Sequence, residues 1–174
     1  MKSTRRRFIQ AGIAGSALLV SVRWIDRGLN AWAAPPDVLD ASANQVIRAL
    51  VPVILSGALP ADPAKHTQAI DETVEAFGRA VGGLAPAIQE EIRQMLSLLS
   101  FTPTRLAMTG IGASWRDASA ADIAAFLEDW RHSRFELKRA GYRALTQLIQ
   151  GSWFDNTLAW PVIGYPGPPK ITSS

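Results

Sequence analysis

The sequence predicts an all-α fold: a single bundle of four to five helices followed by an extended C-terminal tail rich in proline and aromatic residues. Three observations carry this expectation. Apolar residues recur at three- and four-residue spacings through most of the chain. No alternating strand pattern runs longer than three or four residues, and no internal repeat or low-complexity segment appears. After Gly151 the chain gathers prolines and glycines that cannot continue a helix. At 174 residues the chain fits one domain of ordinary size with a short appendage.

The first element is expected from Asp40 onward. In DASANQVIRALVPVIL, Val46, Ile47, Leu50, Val51 and Ile54 fall on one stripe, Ser42 is a candidate N-cap, and Pro52 is expected to kink or divide the helix. SGALPADPAKH reads as a loop. A second helix, about Thr67 to Val81, sets Ile70, Val74, Phe77 and Val81 against Asp71, Glu72, Glu75 and Arg79. It is expected to stop at Gly82-Gly83, residues that tolerate positive φ. Pro86 suits the first turn of a third helix whose buried face is Ile88, Ile92, Met95, Leu96 and Leu99.

FTPTRLAMTGIGASWRD reads as irregular, punctuated by Pro103, Gly110 and Gly112. Ser119-Ala120-Ala121-Asp122 resembles a capping box and opens the longest expected helix, about Ala120 to Ile149. Its stripe is Ile123, Phe126, Leu127, Trp130, Leu137, Ala144, Leu145 and Leu148. The charges opposite, from Glu128 to Arg143, form acid–base pairs at i, i+3 and i+4 and read as a solvated face.

Charge is distributed unevenly. The formal net charge is +3, but six of the 18 basic residues and only one of the 15 acids precede residue 34. From Ala34 onward 12 basic residues face 14 acids, spread among one another, which argues against a nucleic-acid partner. There is no cysteine, so disulfides, thiolate metal sites and covalent haem attachment are excluded. With two distant histidines, His66 and His132, no metal site is expected, and no catalytic or cofactor-binding residue can be named. No Gly-x-Ser-x-Gly elbow or phosphate-cradling loop occurs, and no βαβ pattern for a dinucleotide.

The basic N-terminus has a different logic. Arg5, Arg6 and Arg7 precede Phe8 and Ile9, and then twelve residues from Ala11 to Val22 carry no charge. Twelve residues rise about 18 Å as a helix, short of a hydrocarbon core of about 30 Å, so the segment reads as a secretory signal and not a spanning helix. Thr4, Arg5, Arg6, Phe8 and Ile9 match a twin-arginine signal in register. Ala31-Trp32-Ala33 has the small-x-small pattern of a cleavage site, with Ala31 and Ala33 as its small residues. The organisation expected is a signal over 1–33 and a helical domain over 34–174, its tail at 151–174. Export would place the protein in the periplasm, already folded.

The tail reads GSWFDNTLAWPVIGYPGPPKI. Trp153, Phe154, Trp160, Tyr165, Pro166, Gly167 and Pro168 make it a rigid aromatic segment suited to a groove on another protein, or to capping its own helices. With the leader and the ASAADIAAFLEDWRHSRFELKRAGYRAL stretch, this ending resembles the small subunit of periplasmic flavin-dependent dehydrogenases, the family named for gluconate 2-dehydrogenase subunit 3. The resemblance implies a subunit without an active site of its own. It implies a large FAD-bearing partner of the glucose-methanol-choline type, sometimes a multihaem cytochrome c, export through the twin-arginine translocase and membrane association through the complex. The alternative is a self-sufficient periplasmic helical enzyme or ligand binder with a site near Trp115, Trp130 and His132.

Overall fold

The computed structural model describes residues 39–156 and Ala159. Those residues form an all-α bundle of six helices: α1 (Ala41–Ile54), α2 (Pro63–Gly82), α3 (Pro86–Ser100), α4 (Thr102–Thr109), α5 (Ala120–Arg131) and α6 (Glu136–Phe154). No strand occurs among them. Helix α1 is the hub, packing against α2, α3, α5 and α6. Its composition explains that place. Val46, Ile47, Leu50 and Val51 are fully buried, and a helix so apolar has to be covered on several sides.

Asp40, and not Ser42, caps α1. Its carboxylate accepts from the Ala43 N–H at 2.7 Å, while the Ser42 hydroxyl donates to the same oxygen at 2.8 Å. A carboxylate is the stronger acceptor and also complements the positive end of the helix dipole. The Ala43 N–H, helped by Ser42, holds the Asp40 carboxyl below its usual value. Because the folded value is the lower one, the stabilisation is present above the unfolded pKa of about 4 and is lost as pH falls through the folded value. Asp40→Ala is expected to cost about 1 kcal/mol near neutral pH. In urea titrations the difference from the parent chain should shrink below pH 4; a constant difference down to pH 2 would show that the charge contributes nothing.

Pro52 does not divide α1, which continues to Ile54. It lies in the last turn, where the N–H it lacks is one of few remaining bonds, and the Leu55 N–H closes the end on the Val51 carbonyl at 2.9 Å. Gly57 then turns the chain at φ 81°.

Helix α2 starts four residues earlier than the apolar pattern indicates. Asp62 accepts from the Lys65 N–H at 2.9 Å and Pro63 occupies the first turn, so the sequence ADPAK is a helix start as well as a turn signal. The helix ends at Gly82 as expected, but its cap Gly83 has φ −80° and uses no left-handed conformation. In α3, Ile92, Leu96 and Leu99 are buried, Met95 is half-buried, and Ile88 is exposed in the first turn, ahead of the residues that meet the core.

Two departures shape the far end of the bundle. The stretch expected to be irregular contains α4, a two-turn helix with Pro103 in its first turn and Gly110 as its left-handed cap at φ 77°. The single long helix expected from Ala120 to Ile149 is two helices, broken at residues 132–135. Ser133 explains the break: its hydroxyl accepts from the Phe135 N–H at 3.2 Å, and its carbonyl accepts from Arg139 Nη1 at 2.6 Å. Side chains thus capture backbone groups that a continuous helix would pair internally. The break resets the helical phase, so Leu137, assigned to the buried stripe by its spacing, is 77% exposed. Ser119 does open α5 as a capping residue, accepting from the Asp122 N–H at 3.1 Å and donating to the Asp122 carboxylate at 2.7 Å.

Candidate partner-binding site

The root of the tail is built by the last turn of α6 against α2, the most extensive helix contact in the bundle. Trp153 is fully buried there. Of the two duties the sequence leaves open for Trp153, a partner's groove or its own helices, its burial places it in this chain's core, whereas Phe154, the next residue, is half exposed. Adjacent helical residues point about 100° apart, so the two cannot share one surface. The Trp153 indole N–H has no hydrogen-bond partner among the described residues.

Beyond the helix, Asn156 fixes the direction of the chain. Its amide donates to Glu72 of α2 at 2.7 Å, and its carbonyl accepts from the Ala159 N–H at 3.0 Å. Ala159 is fully buried. Around this exit Glu72, Glu75, Ala76, Arg79, Asp155 and Asn156 line a depression of about 260 Å³. It is smaller and more polar than the apolar clefts that hold organic cofactors. Its lining is three carboxylates, one amide and one guanidinium beside the apolar Ala76. Trp160, Tyr165, Pro166, Gly167 and Pro168, with the leader residues Thr4, Arg5, Arg6, Phe8 and Ile9 and the cleavage residues Ala31 and Ala33, lie outside the described residues.

The second region of interest does not converge on a site. Trp115, Phe126 and Trp130 form a chain of edge-to-face contacts, with centroids 6.1 and 5.2 Å apart, and all three are buried. Both indole N–H groups are used: Trp115 donates to the Leu99 carbonyl at 2.8 Å and Trp130 to the Met108 carbonyl at 3.0 Å. Each carbonyl sits at the end of a helix, where no intrahelical partner exists. His132 is elsewhere, on the surface, with Nε2 2.9 Å from Glu128. The tryptophans are the packing that joins α3, α4 and α5, and His132 takes no part in it.

No sequence pattern singles out Arg105. It is 5% exposed, with Nε donating to the Ile111 carbonyl at 3.3 Å and Nη groups to the Ser100 carbonyl at 3.4 Å, the Thr102 hydroxyl at 3.3 Å and the Gly112 carbonyl at 3.5 Å. Four neutral acceptors stand in for a counter-ion, and the planar fork ties both ends of α4 to the loop that follows. A single arginine in the stretch before Gly110 and Gly112 is a weak signal, because nothing in its spacing distinguishes it from a surface residue.

Among the described residues no three His, Asp or Glu side chains lie close enough to hold a metal ion, and no helix is long and apolar enough to cross a membrane. Comparison with protein-family models, with curated proteins and with solved structures finds no match to this chain.

Proposed function

We propose that this chain is the non-catalytic small subunit of a periplasmic FAD-dependent dehydrogenase of the glucose-methanol-choline type. In this reading it carries the flavin-bearing large subunit through the twin-arginine translocase and supports its folding and stability. The observation that carries the reading is the leader, where Thr4, Arg5, Arg6, Phe8 and Ile9 stand in the order an exporter of folded proteins requires. A chain exported folded has reason to be so when a cofactor must be loaded first, and the flavin would reside on the partner. The aromatic and proline-rich end from Trp160 to Pro169 supports the same assignment, as a segment with large contact area and little conformational entropy to lose on docking.

The test is to recover the tagged chain from its own periplasm and record the absorption spectrum of what accompanies it. Co-purification of a large chain with an oxidised-flavin spectrum is the expected result, and a Soret band would add a multihaem cytochrome c. Recovery of a colourless, solitary chain would overturn the proposal.

A further inference from the structure

The turn between α5 and α6 leaves two large apolar side chains outside the core. Phe135 holds the N-cap position of α6, where Ser, Thr, Asp and Asn are favoured, and makes no side-chain capping bond. It is 55% exposed, and Leu137, two residues on, is 77% exposed, the most open large apolar side chain among the described residues. Two exposed apolar groups at one corner cost solubility and contribute nothing to the core.

The corner is also braced. Lys138 Nζ lies 2.8 Å from Asp129 across the turn, Arg139 holds the Ser133 carbonyl at 2.6 Å, and Glu136 is bonded by both Arg139 and Arg143. These two arginines, Arg143 first, hold the Glu136 carboxyl below its usual value. Arg134 stands over the Phe135 ring, its guanidinium 4.9 Å from the centroid. Charge is segregated here as well. Between Glu128 and Arg143 five basic side chains face three acids, whereas the remaining described residues carry six basic and ten acidic ones.

We propose that this corner is a peripheral contact for an anionic lipid surface. Phe135 and Leu137 enter the boundary between headgroups and acyl chains, and Arg134 beside the ring meets the phosphates, joined by Arg131, which rests 3.6 Å from Glu128. Two features favour lipid over a protein groove. Arginine alongside phenylalanine suits a layer that is apolar below and anionic above. The positive excess lies at this corner of a chain whose other described charges are predominantly acidic, which orients the molecule towards a negative surface. The inference does not depend on the proposed dehydrogenase partner.

The absence of cysteine gives a direct test. Leu137→Cys in the full chain, labelled with an environment-sensitive nitrobenzoxadiazole dye, is compared with Ala87→Cys, exposed at the start of α3. The leader is common to both proteins, so their difference reads the corner. With vesicles containing about 30 mol % phosphatidylglycerol, emission at position 137 is expected to shift blue and rise about twofold or more, with little change at position 87 and none on pure phosphatidylcholine. Arg131→Gln with Arg134→Gln should abolish the rise. No response at position 137, an equal one at 87, or an equal one on neutral vesicles would overturn the proposal, the first leaving the corner to a protein partner.

Discussion

Trp130→Ala is expected to lower stability by about 3–5 kcal/mol, a large share of the 5–15 kcal/mol typical of a domain. The side chain is 1% exposed, stacks edge-to-face on Phe126, and bonds the Met108 carbonyl that ends α4. Truncation therefore opens a cavity among α3, α4, α5 and α6 and orphans a helix-terminal carbonyl. The partner of Trp130 in this packing is Gly141. A methyl group at that position would lie 2.6 Å from Cζ3 of Trp130 and 3.3 Å from Sδ of Met95. Gly141→Ala should cost about 1–2 kcal/mol, since overpacking outweighs the helix propensity an alanine gains. The double variant supplies the decisive measurement. With Trp130 gone the new methyl has room, so the two costs should fall short of additivity by about 1 kcal/mol or more in chemical denaturation. Strict additivity would mean that the helices do not meet through this pair.

The same residues show how much of the fold the sequence makes legible. The stripe of Val46, Ile47, Leu50 and Val51 is visible because a helix buried on several sides repeats its apolar residues densely, and local spacing is enough to find it. The break at Ser133 is not visible, because it depends on Arg139 reaching back to a carbonyl six residues earlier, a contact no periodicity records. Helix α4 escapes for a related reason. Eight residues containing Pro103 have little tendency to be helical alone; the segment is held by its own Arg105, which bonds the Ile111 carbonyl beyond its end, and from outside by the indole of Trp130. Gly141 carries no signal of its own in the sequence, because only the approach of Trp130 gives it a packing role.

The candidate site divides along the same line. Composition singles out the aromatic end, yet it cannot assign Trp153 to the core and Phe154 to the surface, since that depends on which face of α6 meets α2.

On the proposed assignment, Arg5→Lys with Arg6→Lys is expected to abolish periplasmic dehydrogenase activity, with the flavin-loaded large subunit accumulating in the cytoplasm. The substitution is chosen because it preserves charge. A signal read only as a positive n-region would be indifferent to it, as would any attraction to the anionic inner leaflet. A receptor that engages planar guanidinium groups through paired hydrogen bonds would not be, because lysine offers a compact ammonium on a flexible stem. Arg7 remains in both proteins, so a loss cannot be ascribed to an absent cation beside the apolar segment. Fractionation should show the small and large subunits retained together, still associated and still coloured. Loss of the small subunit alone from the periplasm, with the dehydrogenase exported and active, would refute the idea that this chain carries its partner. Unchanged export of both would mean that the segment acts as a general secretory signal. In that case a folded, flavin-loaded partner would no longer account for the order of residues at the N-terminus.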